Sequence, residues 1–241
     1  MSAALAPVAA RYLARPSFIP PEPDGVVRAM TIVLRLERPP APRTAVLEAA
    51  AAAALAVCLD PRAQPEGEWA EPVRMWVQNR IRKIARRART AHWTAVQELP
   101  GVTCTVGPVD STAQARALVP GPVDEVPRTV SRLQIGGTDL EPDDPGPPPP
   151  GVPVIWLNAR LGMSVGKAAA QVGHASMLYA AARGLTEVPE FAVRGAEGER
   201  WAALCAAAQR DAAVAVRDAG FTEVAPGSTT CVVTEGVEVP R

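Results

Sequence analysis

A proline-rich segment near the middle of the chain constrains the fold more than any other feature. Residues 141–153 have the sequence EPDDPGPPPPGVP. Proline lacks a backbone N–H and fixes φ, so this run excludes both a helix and a central strand. Such a segment is typical of a stiff spacer between domains. The chain of 241 residues is therefore expected to consist of two halves, residues 26–140 and residues 154–241, joined by this linker.

Each half alternates short apolar strands with alanine-rich helices, a pattern typical of α/β domains. In the N-terminal half, strands are predicted at 26–36, 81–86, 102–106, 115–119 and 129–135, and helices at 44–59, capped by Thr44, and from Trp93. In the C-terminal half, strands are predicted at 154–157 and 190–194, and helices at 167–182 and from Trp201. The predicted fold class is α/β, with two related halves, each a small mixed β-sheet flanked by helices in a three-layer α/β/α sandwich.

Composition narrows the class of protein. The formal net charge is zero, and no apolar run is long enough to span a membrane, so no membrane partner is expected. Residues 1–25 lack the apolar segment of a secretion signal and are expected to form an irregular arm. The four cysteines lack the spacing of metal ligands, which predicts reduced thiols, no metal site and a cytoplasmic location.

The helix predicted at 167–182 carries its polar residues on one face. Lys167, Gln171 and His174 are spaced i, i+4 and i+7 along an otherwise small and apolar helix that follows Gly166. They project from the end of the helix where backbone N–H groups and the positive end of the dipole favour anions. A buried helix whose lysine extends to solvent, and whose polar side chains are satisfied in the core, explains the pattern equally well.

A second informative block, RDAGFTEVAPGSTTCVV, follows the last predicted helix. Asp218 and Gly220 are expected to end that helix, with Gly220 as its left-handed cap. A strand is then predicted at 221–224, a tight turn at 225–228 and a partner strand at 229–233. This block therefore predicts a β-hairpin at the end of the C-terminal half.

The two blocks together resemble the type 2 peptidyl-tRNA hydrolase family. GKAAAQVGHA and RDAGFTEVAPGSTTCVV occur in the family's order, with a strand and a helix between them, and the resemblance covers residues 150–237. It implies hydrolysis of the ester that joins a peptide to tRNA, without a cofactor and with peptidyl-tRNA as the substrate. The sequence departs from the family at Glu190, where a lysine is usual, and at Glu223, where a glutamine is usual.

The resemblance also implies roles for individual residues. Asp218 is expected to orient or deprotonate water, and Lys167 to stabilise the oxyanion. Gln171 and Thr222 are expected to position the ester. His174 is expected either to shuttle protons or to be a core histidine bonded to a carbonyl. Further substrate-binding residues in this half are expected to be Gly166, Gly227, Ser228, Thr229 and Arg194.

The N-terminal half carries a concentration of positive charge. Seven basic residues between Arg74 and Arg89 have no acidic residue among them. Such a segment favours contact with phosphates, and Arg82, Arg86 and Arg89 are predicted to bind tRNA. An ordinary solvated face is the alternative.

The two halves also show signs of duplication. Trp93 corresponds to Trp201 and Arg86 to Arg194, while Thr44, Glu48 and Ala51 replace the three polar residues of the later helix. Residues 26–140 are therefore expected to be a degenerate copy, which gives a monomer with an internal pseudo-dimer rather than a homodimer. An unrelated accessory domain remains open. So do two other functions, a non-catalytic RNA- or protein-binding module and an esterase that acts on another acyl adduct.

Overall fold

The structure is a computed structural model of the chain and describes residues 2–14, 22, 24–108, 112–137, 139–218 and 223–236. In these ranges the α-helices are α1 (Ala6–Ala14), α2 (Arg43–Leu59), α3 (Ala70–Val77), α4 (Thr90–Val96), α5 (Arg128–Ser131), α6 (Val165–Arg183) and α7 (Gly198–Gln209). The strands are β1 (Arg28–Arg35), β2 (Arg82–Ala88), β3 (Gly101–Val106), β4 (Ala113–Leu118), β5 (Gly121–Pro122), β6 (Val154–Asn158), β7 (Ala192–Ala196), β8 (Val214–Arg217) and β9 (Thr229–Thr234).

Both halves arrange their strands in the same order. The N-terminal sheet has the order β2-β1-β4-β3, with short β5 also paired to β1, and the C-terminal sheet has the order β7-β6-β9-β8. In each sheet the first two strands run parallel and the other pairs run antiparallel. Arg86 lies opposite Val33 in one sheet, and Arg194 lies opposite Trp156 in the other. These findings confirm an α/β fold of two related halves, each a mixed sheet flanked by helices.

The two halves share one middle layer. Helices α2 and α6 pack against each other, and each also packs on the sheet of its own half. The outer face of the N-terminal sheet is covered by α4 and α5 around Trp93, and the outer face of the C-terminal sheet by α7 through Leu204. The largest apolar cluster includes buried residues of both halves, so one core spans the linker.

Strand β1 shows why the N-terminal sheet needs cover on both faces. Met30, Ile32 and Leu34 point into the shared core, whereas Val33 points into the smaller cluster under α4. Successive side chains of a strand alternate between the two faces of a sheet, and here both faces are apolar. The strand can therefore lie only at the centre of a covered sheet.

Small residues bring α2 and α6 close together. The Ser176 hydroxyl donates a hydrogen bond of 2.8 Å to the backbone oxygen of Ala51 in the opposite helix. A Cβ atom placed on Gly173 would lie only 3.0 Å from the Cβ of Ala54 and 3.2 Å from the Cδ1 of Ile32. Alanine and glycine at these positions therefore set the spacing of the two helices.

The proline-rich segment contains no helix or strand, as its composition predicts, but it packs against both halves. The Asp143 carboxylate accepts hydrogen bonds from the backbone N–H of Thr44, at 2.9 Å, and from its hydroxyl, at 3.0 Å. Arg194 of the other half donates to the backbone oxygen of Gly146 at 2.8 Å. The segment thus bridges the halves rather than holding them apart.

The prediction of an irregular N-terminal arm at residues 1–25 is wrong for its first part. A 3-10 turn covers Ala3–Leu5 and α1 follows it directly. Leu5 and Val8 are buried in the shared core, and α1 packs on α6. Tertiary packing therefore stabilises α1, although its sequence contains Pro7 and Arg11.

Two local predictions in the N-terminal half are also wrong. The strand predicted at 129–135 is the short helix α5, which begins after Pro127, and only Gln134 forms a bridge, to Arg87. Thr44 does not cap α2, because the helix begins at Arg43. Its hydroxyl is instead used in the hydrogen bond to Asp143.

The close approach at Gly173 predicts a stability difference between two glycines of α6. We expect Gly173→Ala to destabilise the fold by about 1–3 kcal/mol, because the added methyl group overpacks the interface. Gly166→Ala is the matched control: its Cβ would meet nothing closer than 3.5 Å, and alanine favours a helix. Denaturant unfolding of both variants checks this, and equal stabilities would contradict the tight interface.

Candidate functional site

The first turn of α6 is fixed by a side-chain cap. Ser164 accepts a hydrogen bond of 3.2 Å from the backbone N–H of Lys167. Glu223 in turn accepts from the Ser164 hydroxyl at 2.7 Å and from its backbone N–H at 3.0 Å. The cap ties the start of the helix to the loop that follows Asp218, so the two motifs are held side by side.

Asp218 follows a strand, and the prediction that it ends a helix is wrong. Helix α7 ends at Gln209, and β8 begins at Val214, whose side chain is buried together with that of Val216. Strand β9 pairs antiparallel with β8, and the register shifts at Arg217. Residues 221–222 of the strand predicted at 221–224 lie outside the described residues. The backbone of Asp218 accepts from Gly227 N–H at 2.8 Å and donates to the Ser228 oxygen at 2.9 Å, which closes the loop.

Four polar side chains converge in the space between α6 and this hairpin. Lys167 Nζ and Gln171 Nε2 both donate to the same oxygen of Asp218, Oδ2, with the glutamine at 2.8 Å. The hydroxyl of Thr230, on β9, donates to Gln171 Oε1 at 2.6 Å. The side chains of Lys167 and Asp218 are only 9% and 7% exposed, so this ion pair lies in a largely dry environment. The sequence analysis does not predict Thr230 as a site residue. The available signal is its hydroxyl group next to the apolar residues of β9.

His174 contacts the N-terminal half instead of this group. Its Nδ1 lies 3.1 Å from Nζ of Lys83, on β2. Burial lowers the pKa of His174 well below its ordinary value, and the charges of Lys83 and Lys167 lower it further. Burial also lowers the pKa of Lys83 to about 7. The lysine lies over the ring of Trp76, with Nζ 5.0 Å from the ring centroid.

Comparison with known proteins identifies a family for the C-terminal half. The family model described as peptidyl-tRNA hydrolase PTH2 matches residues 152–238. The C-terminal half is a type 2 peptidyl-tRNA hydrolase domain. The match includes Lys167, Gln171, His174 and Asp218, and it leaves the N-terminal half outside. Searches of the curated proteins and of the solved structures gave no match.

The other predicted substrate-binding residues of the hydrolase domain are spread around this site. Gly227 and Ser228 form the hairpin loop, where Gly227 has a φ of +79° that favours glycine. Thr229 begins β9, and its backbone oxygen accepts from Asn158 at 3.3 Å. Arg194 instead faces the N-terminal half, where it pairs with Glu48 at 3.3 Å. Thr222 lies outside the described residues, as does Gly220.

Two of the three arginines expected to bind tRNA make internal contacts. Arg82 forms an ion pair with Glu22. Arg86 donates to the backbone oxygen of Leu133 at 2.8 Å. Arg89 is exposed at the end of β2. Contact between these residues and tRNA stays a prediction, with Arg89 the most accessible of the three.

Two wider searches concern only the part of the chain that the structure describes. There, no cluster of three or more His, Cys, Asp or Glu side chains could hold a metal ion. None of the helices in these ranges combines the length and the apolar character needed to cross a membrane. The four cysteines are free thiols, and those of Cys58 and Cys231 are buried.

The lowered pKa of Lys83 predicts how stability depends on pH. The folded chain releases this proton near pH 7, whereas an unfolded lysine holds it until about pH 10.4, so stability rises with pH above about 7. From about pH 7 to 8.5 the wild type should gain about 1–2 kcal/mol relative to Lys83→Met. Denaturant unfolding at several pH values measures this difference. The comparison ends at about pH 8.5 because burial raises the pKa of Cys58 and of Cys231 to about 12. These thiols lower the stability of the folded chain at higher pH and so oppose the trend. Parallel pH profiles would contradict a buried, titrating Lys83.

Proposed function

We propose that the C-terminal half hydrolyses the ester bond of peptidyl-tRNA, releasing the peptide and free tRNA. The observation that carries this proposal is the convergence of Lys167 and Gln171 on the Asp218 carboxylate within the matched domain. A carboxylate and an ammonium group held together in a dry pocket supply a proton acceptor and a fixed positive charge. Ester hydrolysis by water needs both.

In the proposed mechanism, a water oxygen attacks the ester carbonyl while Asp218 accepts one of its protons. The ammonium group of Lys167 has three N–H donors, so it can stay bonded to Asp218 and also stabilise the oxyanion that forms. The bond between the carbonyl carbon and the ribose oxygen then breaks, and the proton on Asp218 passes to that oxygen. Gln171, oriented by Thr230, keeps the carboxylate in position.

Single and double variants test the paired charges. We expect Asp218→Asn and Lys167→Met each to lower turnover by about 10²-fold or more, because each removes one of the two reacting groups. The assay is release of labelled peptide from peptidyl-tRNA, with aminoacyl-tRNA as a second substrate. The double variant should recover part of the stability that either single change loses, since no buried charge is left without its partner, but should recover no activity.

The matched control is the ion pair of Arg183 and Glu235 at the other end of α6. Arg183 lies about 24 Å along the helix from Lys167, so Arg183→Met and Glu235→Gln should leave turnover unchanged. Normal turnover in the Asp218 and Lys167 variants would refute the proposed mechanism. Tight tRNA binding without peptide release by the wild type would instead favour the non-catalytic RNA-binding module.

We further propose that the N-terminal half is a degenerate copy of the hydrolase domain and acts as its internal partner. The common strand order and the equivalent places of Arg86 and Arg194 support this. Because α2 already covers α6, the full chain needs no second copy and should be a monomer, which sedimentation checks. A stable dimer of the full chain would argue against an internal pair.

A further inference from the structure

The N-terminal half contacts the hydrolase site at three places. Arg43, at the start of α2, donates a hydrogen bond of 3.0 Å to the backbone oxygen of Met163 in the loop before α6. A Cβ atom on Gly166 would lie 3.5 Å from the backbone oxygen of Ile135 and 3.7 Å from the Cβ of Ala85. The third contact joins Lys83, on β2, to His174 on the polar face of α6.

The surroundings of Lys83 hold its side chain in place. On one side the amino group lies over the ring of Trp76. On the other side the aliphatic stem passes Gly173, where a Cβ atom would come within 3.1 Å of Lys83 Cδ. A glycine next to His174 therefore leaves room for a lysine that comes from the opposite half. Since both neighbours restrict the stem, the amino group has little freedom to leave Nδ1.

The contact determines where the imidazole carries its proton. Below its pKa of about 7, the amino group of Lys83 is an ammonium, which has only N–H donors. Nδ1 of His174 must then accept, and the single proton of the neutral ring resides on Nε2. Burial lowers the pKa of the ring, and the charges of Lys83 and Lys167 lower it further, so a second proton is disfavoured. An imidazole in this state can donate through Nε2 but cannot accept a proton at Nδ1.

We propose that Lys83 is a positioning residue of the hydrolase site, contributed by the N-terminal half, which holds His174 as the neutral tautomer protonated on Nε2. The inference rests on the proposed hydrolysis, and it deepens it. His174 then presents a fixed Nε2–H donor on the helix face that also carries Lys167 and Gln171, and the proton of the attacking water goes to Asp218 alone. The catalytic half is complete only when Lys83 reaches it across the shared middle layer.

Nitrogen-15 NMR of the histidine rings in the full chain tests the tautomer directly. The chain has only two histidines, His92 and His174, so the spectrum can be assigned with one His92→Gln variant. At about pH 6, below the ordinary pKa of histidine, His174 in the wild type should be neutral with its proton on Nε2. In Lys83→Met burial still disfavours a second proton on His174, so the ring should stay neutral. Its single proton should then divide between Nδ1 and Nε2, while His92 should not change.

Peptide release measured on the same samples links the tautomer to the reaction. Lys83→Met should lower kcat by roughly tenfold to a hundredfold with little change in KM, because a misplaced donor affects the reacting geometry more than binding. Arg62→Met is the matched control. This variant also removes a cation that stacks on a tryptophan of the N-terminal half, since Cζ of Arg62 lies 3.6 Å from the ring centroid of Trp69. Arg62, however, does not contact His174. Both kcat and the His174 signals should stay at the wild-type values in this control.

The possible outcomes separate the two proposals. A wild-type His174 protonated on Nδ1, or a tautomer population that is the same in Lys83→Met, overturns the role of Lys83. The first result needs no variant, so it counts even if Lys83→Met folds poorly. Equal kcat in Lys83→Met and wild type overturns it as well. If the wild type releases no peptide while His174 is the Nε2 tautomer, the proposed hydrolysis fails and the hold of Lys83 on His174 stands.

Discussion

The packing of α2 on α6 is the contact on which the other features of the structure depend. Both helices are rich in alanine, so their backbones approach closely, and each covers an apolar face of the other. The closeness that Ala51, Ala54 and Gly173 permit brings β2 of the N-terminal half near the polar face of α6. The polar group of Lys167, Gln171, Asp218 and Thr230 therefore lies beside a helix–helix interface as well as against a sheet.

A buried pair of charges is costly, and the site shows how this one is supported. Removing Lys167 and Asp218 from water costs several kcal/mol, on the order of the stability of a whole domain. Their mutual attraction and the second donor from Gln171 offset part of this cost. Thr230 then fixes which end of the glutamine amide points to the carboxylate. Each partner of the carboxylate is thus oriented by the fold before substrate arrives, which is the condition for electrostatic stabilisation of a transition state.

Much of this could be predicted from the sequence, and the failures have a common cause. Helix periodicity placed Lys167, Gln171 and His174 on one face, and the structure has them there. Periodicity does not specify what lies opposite that face. The contacts of His174 with Lys83 and of Arg194 with Glu48 join residues 91 and 146 positions apart, and no local pattern reports them. The Asp-Ala-Gly sequence matches helix caps, so it predicts a helix end at Asp218. Strand β8 precedes Asp218 instead, and this strand is too short to show a clear alternation of apolar and polar residues.

Counting along the paired strands gives Lys83 a counterpart in the hydrolase domain. Because Arg86 and Arg194 hold equivalent places, Lys83 corresponds to Phe191, a buried ring that packs edge-on against Tyr179 with centroids 6.1 Å apart. Two identical subunits would carry the same residue at both places. A single chain has no such restriction. Covalent linkage of the halves thus allows a lysine in one half and a phenylalanine ring in the other, at places that two copies of one sequence would have to fill alike.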